Sequence, residues 1–206
     1  MNDEVARLLP ARKGHFLLES GHHGDMWLDL ELLCFRPAPV RLLAAQLAAR
    51  LAAHRVEAVC GPLVEGAFVA LMVASDLDLP FAYAERFATG KEPGALHPFE
   101  YRIPAALRRE LRGRRVAIVD DVINAGSAVG GTFAALKSCD AEPVAIGAIA
   151  VLGASAAGFV AEKKLALEAI AFLPNEIWTA SACPLCARGV ALTDPSASTG
   201  NPTPTA

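Results

Sequence analysis

The feature that most constrains this chain is residues 114–132, RRVAIVDDVINAGSAVGGT, where an apolar run meets two adjacent aspartates and a glycine-containing loop. The run at 116–119 is continuous and rich in β-branched residues, which is typical of a parallel strand buried on both faces. We therefore expect Asp120 and Asp121 where this strand ends, the edge at which open α/β sheets bind ligands. The residues that follow the loop predict a helix.

The loop after the acidic pair has the composition of an anion site. Asn124 and Ser127 supply polar side chains, and Gly126 permits a tight turn. The loop amides lead into a helix N-terminus, which favours a bound anion. Carboxylates for hydroxyl groups and amides for phosphate together predict a site for a ribose 5-phosphate. The simpler alternative is that the aspartates only end a strand and cap a helix, although adjacent carboxylates repel one another there unless something is bound.

This order of apolar strand, acidic pair, short loop and helix resembles the phosphoribosyl pyrophosphate (PRPP) motif of the type I phosphoribosyltransferases. Asn124 stands where that family usually has Thr. The resemblance implies an α/β fold, a doubly wound, mostly parallel sheet with a small N-terminal hood. It also implies transfer of ribose 5-phosphate from PRPP to a nucleobase, with Mg2+ bound through PRPP rather than directly by the protein. It assigns PRPP binding to Asp120, Asp121, Val122, Asn124, Ala125, Gly126, Ser127 and Ala128, and catalysis to the two aspartates.

Two further segments make the chain most similar to the orotate subfamily. Residues 14–29, GHFLLESGHHGDMWLD, resemble the hood, and the resemblance assigns base binding to Ser20, Gly21, Trp27 and Arg36. Residues 60–66, CGPLVEG, resemble the pyrophosphate loop, so Gly61 and Pro62 are assigned to PRPP. Glu65 departs from the family pattern, because a carboxylate there repels pyrophosphate unless it points away or contacts bound magnesium.

A long segment without periodicity, residues 85–104, predicts a mobile lid. By the resemblance, Arg86 and Lys91 are catalytic, His97 binds PRPP, and the lid neutralises the pyrophosphate that leaves. The basic residues are fewer than in the orotate subfamily. A solvated surface loop is therefore the alternative.

The end of the site that would recognise the base lacks an expected cation. The subfamily carries an arginine after the strand that follows the PRPP motif, and this arginine pairs with the substrate carboxylate. Residues 151–155, VLGAS, contain none, so Arg36, His22 or His23 of the hood would have to supply the charge. Orotate is the expected base. A transferase for a different base, and a PRPP-sensing protein without turnover, are the alternatives.

Length and composition favour one domain. The chain has 206 residues, of which 53% are hydrophobic, and we expect a single domain over 1–193, with the hood formed mainly by 1–36 and 168–193. The Pro/Ser/Thr-rich residues 194–206 predict a disordered tail. A net charge of -3 argues against a nucleic-acid partner. The family resemblance implies a homodimer.

Five scattered cysteines, an odd number, indicate a reducing cytoplasm. The uncharged residues 143–161 approach the length of a membrane span, but their β-branched start and interrupting glycines predict a buried strand, a turn and a helix, and hence no membrane partner. Cys183 and Cys186 form a Cys-x-x-Cys pair, half of a structural zinc site. No second pair or nearby histidine follows downstream, so we expect no metal held directly by the protein.

Overall fold

The computed structural model describes residues 3–9, 11–89 and 99–195. Its α-helices are α1 Asp3–Leu8, α2 Pro37–Leu51, α3 Glu65–Leu77, α4 Ala105–Leu111, α5 Ser127–Lys137, α6 Ser155–Lys163 and α7 Pro184–Ala187. Its strands are β1 Ala11–Leu17, β2 His23–Leu28, β3 Ala58–Pro62, β4 Phe81–Ala88, β5 Phe99–Arg102, β6 Arg115–Ile123, β7 Glu142–Leu152, β8 Ala166–Leu173 and β9 Ile177–Trp178. Short 3-10 helices span Leu30–Phe35, Ala52–His54 and Ala180–Ala182.

The main sheet has six strands in the order β5, β4, β3, β6, β7, β8, parallel except for β5 at one edge. Successive residues of the apolar run in β6 point to opposite faces of this sheet. Ala117 and Val119 join the core formed with α2 and α3, whereas Val116 and Ile118 join the core formed with α4, α5 and α6. Helices cover both faces, which confirms the predicted doubly wound, mostly parallel α/β fold.

A second, smaller sheet forms the hood. It has the order β1, β2, β9 and joins the N-terminal hairpin to the C-terminal segment. The Leu17 amide donates to the Thr193 carbonyl at 2.9 Å, and the Thr193 amide donates to the His15 carbonyl at 2.8 Å. The last described residues are therefore fixed to β1. From residue 196 onward, the predicted tail lies outside the described residues.

The prediction that the central strand ends before Asp120 is wrong. β6 continues through the acidic pair to Ile123, because Val122 and Ile123 pair with Ala150 and Val151 of β7. β7 is eleven residues long, so its parallel pairing with β6 continues beyond the apolar run. The two aspartates therefore lie within the strand.

The predicted lid is also shorter than expected. β4 extends to Ala88 and pairs antiparallel with β5, so that Arg86 lies opposite Tyr101 in the sheet rather than in a loop. The interval between these strands is reduced to residues 89–98. Residues 90–98, which include Lys91 and His97, lie outside the described residues, so the roles of these two side chains stay predictions.

The uncharged residues 143–161 form most of β7, a turn and the first part of α6. β7 is parallel to both β6 and β8, and its residues from Ala145 to Leu152 are buried. The predicted sequence of buried strand, turn and helix is confirmed. Among the described residues, no helix has both the length and the apolar character needed to cross a bilayer.

Candidate active site

Two adjacent carboxylates are buried near the end of β6. Asp120 is 6% exposed and Asp121 is 5% exposed. The Asp121 amide donates to Asp120 Oδ1 at 3.1 Å, whereas Asp121 Oδ2 is buried and has no hydrogen-bond partner in the described part of the chain. A buried carboxylate oxygen without a donor is costly, so this arrangement favours a bound hydroxyl or cation.

The raised pKa values of the two aspartates also favour a bound cation. Burial, followed by the charge of Asp121, raises the pKa of Asp120 well above its usual value. Burial also raises the pKa of Asp121 to about 6, and the charge of Glu65 adds to the increase, while hydrogen bonds oppose it. Three carboxylates thus repel one another at one edge of the sheet.

The start of α3 brings Glu65 to this edge. Gly61 and Pro62 are the last residues of β3 and are buried, and α3 begins three residues after Pro62, at Glu65. A Cβ at Gly66 would collide with Asp120 Oδ1 and lie 3.1 Å from Pro62 Cγ. The first turn of α3 therefore packs against Asp120 only because residue 66 has no side chain.

The loop after β6 has the backbone of an anion site. Gly126 has φ +78° and precedes α5, whose first residues are Ser127 and Ala128. The first amides of a helix have no intrahelical acceptor and carry the positive end of its dipole. Asn175 Nδ2 donates to Asn124 Oδ1 at 2.9 Å, which ties this loop to the segment leading into β9. Sequence reasoning missed Asn175, since no local pattern marks it.

Tyr101 is a second residue that sequence reasoning missed. Burial raises its pKa to about 12; the positive charge of Arg86 opposes this increase, and the negative charges of Asp120 and Glu19 add to it. The phenol therefore stays protonated among these groups and can donate a hydrogen bond. Alternation of large apolar residues at 99, 101 and 103 is the signal that could have indicated a strand here.

Arg86 of β4 lies beside the hood. It forms an ion pair with Glu19, and its guanidinium carbon lies 4.5 Å from the centre of the Phe99 ring. Glu19 immediately precedes Ser20 and Gly21, two buried residues in the turn between β1 and β2. The structure thus brings the predicted hood turn next to the sheet edge that carries Arg86.

Trp27 and Arg36, the other two residues predicted to bind the base, do not lie in the turn that contains Ser20 and Gly21. Trp27 of β2 donates through Nε1 to Asp29 Oδ1 at 3.0 Å and packs near Phe16, so its described contacts lie within the hood. Arg36 is exposed just before α2. Burial, followed by the negative charges of Asp121 and Glu65, raises the pKa of Cys34 to about 11. The 3-10 helix Leu30–Phe35, which carries Cys34, therefore lies within electrostatic range of Asp121 and Glu65.

Comparison with known proteins identifies the class. Residues 38–177 match the family model of the phosphoribosyl transferase domain. This range covers more than half of the chain and includes β3, the acidic pair and the loop before α5. The chain therefore belongs to the phosphoribosyltransferase family, whose enzymes transfer ribose phosphate from PRPP.

The chain is similar to one named enzyme in sequence and to two solved structures in fold. Orotate phosphoribosyltransferase from Caldanaerobacter subterraneus subsp. tengcongensis is 28% identical over 186 residues, which are 89% of this chain and 88% of that protein. UMP synthase from Leishmania donovani has a TM-score of 0.62 at 23% identity, over 82% of this chain and 36% of that chain. Adenine phosphoribosyltransferase from Trypanosoma brucei has a TM-score of 0.64 at 14% identity, over 82% of this chain and 78% of that chain. The two structural likenesses establish the fold alone.

Proposed function

We propose that this protein is an orotate phosphoribosyltransferase, which converts PRPP and orotate to orotidine 5'-monophosphate and pyrophosphate in pyrimidine nucleotide biosynthesis. The buried pair Asp120 and Asp121, with its unpartnered oxygen, is the observation that carries the sugar half of this proposal. The relative named for orotate, similar over most of both chains, supports the base half. We place the reaction in the cytoplasm, in keeping with the odd number of cysteines.

The loop before α5 would bind the 5-phosphate. Amides of residues 125–128 and the Ser127 hydroxyl can donate to phosphate oxygens, and the dipole of an eleven-residue helix adds a favourable field. Gly126 supplies the left-handed backbone that turns these amides toward the ligand. Asp120 and Asp121 would accept hydrogen bonds from the ribose hydroxyls.

The residues at this edge fit Mg2+ bound together with PRPP. Mg2+ prefers hard oxygen donors, which the phosphates of PRPP supply, and a cation held by PRPP would relieve the repulsion among Asp120, Asp121 and Glu65. Bound Mg2+ would neutralise charge on the pyrophosphate that leaves. Glu65, which departs from the family pattern, is compatible with pyrophosphate in this arrangement.

Charge stabilisation is the main task of the protein in this reaction. As the bond to pyrophosphate breaks, the sugar gains positive charge, and the two aspartates would stabilise this charge. Tyr101, protonated beside Asp120, can donate to a ligand oxygen. Arg86, together with Lys91 and His97 of the predicted lid, would neutralise the leaving pyrophosphate.

Recognition of the orotate carboxylate needs a cation, and residues 151–155 supply none. We assign this role to Arg36 or His22 of the hood. His23 is a poorer candidate, because its Nδ1 already lies 3.1 Å from His15 Nε2. The missing arginine also favours a second candidate function, transfer to a different base. A PRPP sensor without turnover is the third alternative, favoured by Asn124, Glu65 and the sparse lid.

A steady-state assay of the purified protein with Mg2+, PRPP and a panel of bases separates these functions. The panel contains orotate, uracil, adenine, guanine and hypoxanthine, and pyrophosphate release is measured for each. We expect turnover with orotate, and we expect Arg36→Ala to raise the KM for orotate while the matched variant Arg41→Ala does not. Turnover with another base alone would replace orotate, and PRPP binding without turnover would identify a sensor.

We also propose a homodimer. Val64, Phe68 and Leu71 are exposed at helical spacing along the start and outer face of α3, and Phe35 of the preceding 3-10 helix is 79% exposed. Exposed apolar residues on neighbouring elements support contact with a second copy. Light scattering should give twice the chain mass. If the lid is shared between subunits, mixing Lys91→Ala chains with chains lacking both aspartates should restore partial activity, and a monomer would exclude this arrangement.

A further inference from the structure

Four side chains that bind soft metal ions converge in the hood. His15 lies on β1 and His23 lies on β2. Cys183 immediately precedes α7, and Cys186 lies within its single turn. One potential ligand atom from each residue lies within 4.8 Å of all the others. His15, His23 and Cys183 are buried, while Cys186 is exposed.

The separations of these atoms match a tetrahedral zinc site. Zinc bonds of about 2.3 Å to sulfur and about 2.0 Å to nitrogen place two nitrogens about 3.3 Å apart, and sulfur and nitrogen about 3.6 Å apart. The two histidine nitrogens, His15 Nε2 and His23 Nδ1, are 3.1 Å apart. The sulfur atoms lie 3.4 Å (Cys183) and 3.7 Å (Cys186) from His15 Nε2, and Cys186 Sγ lies 3.3 Å from His23 Nδ1.

The ring of His15 is oriented as a metal ligand requires. Its Nδ1 lies 2.8 Å from the Val190 carbonyl oxygen, so this nitrogen carries the proton and donates it. The lone pair of Nε2 is then directed at the two sulfurs and at His23. Metal-binding histidines usually donate their other ring proton in this way, which fixes both tautomer and ring orientation.

We propose that His15, His23, Cys183 and Cys186 bind one Zn2+ as a structural site. Two thiolates and two imidazoles complete a Cys2His2 set with no open position, which is the pattern of structural rather than catalytic zinc. The ion joins the N-terminal hairpin to the C-terminal segment, and it would hold the turn that contains Ser20 and Gly21. The other two ligands lie far upstream of Cys183, in the N-terminal hairpin, and not downstream of Cys186, where the sequence has no second pair or nearby histidine.

Zinc analysis of the untagged, reduced full-length protein tests the site. We expect about one zinc per chain after expression in zinc-containing medium. Cys183→Ser and His15→Gln should each lose most of this zinc. Cys34→Ser and His54→Gln are the matched controls and should retain it, because both residues lie outside the cluster.

Cobalt substitution of the wild-type protein keeps the test independent of whether the variants fold. Co2+ in a tetrahedral site with thiolate ligands gives intense visible absorption and a thiolate-to-metal charge-transfer band. Adding Zn2+ should displace Co2+ and remove both signals. A wild-type protein that contains no zinc and gives no such spectrum would overturn the proposal and leave a metal-free hydrogen-bonded cluster, and so would full zinc content in a folded Cys183→Ser, Cys186→Ser double variant.

Discussion

Replacing Asp121 with asparagine should stabilise the ligand-free protein while weakening PRPP binding. The pKa of Asp121 rises from 3.8 to about 6 in the folded chain, mainly through burial. At 1.36 kcal/mol per pH unit, this interval corresponds to about 3 kcal/mol of stability lost when the group ionises. The asparagine side chain would keep a similar shape without the buried charge, so the variant should regain up to this amount.

The stability gained by Asp121→Asn over the wild type should increase with pH. Because the folded pKa is raised, the protonated carboxyl is favoured by folding, and its stabilising contribution is lost as the pH rises from about 4 through about 6. The variant should therefore exceed the wild type by roughly half the full amount at pH 5, and by the full amount above pH 7. For a chain of this size, 3 kcal/mol corresponds to a Tm difference of up to about 10 °C.

Thermal unfolding without ligand at pH 5 and pH 8 measures this difference. Asp140→Asn is the matched control, because the Asp140 side chain is 72% exposed and forms its ion pair with the equally exposed Arg112. Its Tm should stay close to that of the wild type at both pH values. Adding Mg2+ and PRPP should raise the Tm of the wild type more than that of Asp121→Asn. The reasoning is refuted if Asp121→Asn is less stable than the wild type at pH 8, or if the Tm difference is the same at both pH values.

Three further predictions follow from the neighbours of the acidic pair. Gly66→Ala should lower kcat/KM by about 100-fold by displacing Asp120. Its control is Gly158→Ala in α6, where a Cβ meets open space; this change should raise the free energy of unfolding by about 0.5–1 kcal/mol. Tyr101→Phe should lower kcat/KM for PRPP by about ten-fold or more, with an unchanged circular dichroism spectrum, because it removes one donor near a charged ligand. Arg86→Ala should lower kcat more than it raises the KM for PRPP. Glu19→Gln removes only the ion-pair partner of Arg86 and should leave kcat intact. Equal losses of kcat in the two variants would mean that the ion pair, rather than Arg86 alone, supports catalysis.

The amino-acid sequence alone predicted the fold class, which the structure confirms, and it located the acidic pair and loop that we propose as the sugar site. The apolar run in β6 is continuous because its residues alternate between two cores, and this pattern is visible without coordinates. The acidic pair, Gly126 and the start of α5 are neighbours along the chain, so their order is readable locally. The end of β6 was misjudged because backbone pairing with β7, rather than side-chain hydrophobicity, continues the strand.

Only the tertiary structure decided which distant residues meet. Glu65 adds its charge to the aspartates, and Tyr101 stands beside Asp120, because separate strands and helices end at the same edge of the sheet. The same holds for the histidine and cysteine cluster, in which His15 and Cys183 are 168 positions apart and their side chains approach within 3.4 Å. The spacing of residues along the chain indicates which side chains share a face of one helix or strand. The contacts described here arise from packing between separate helices and strands, so no local sequence pattern predicts them.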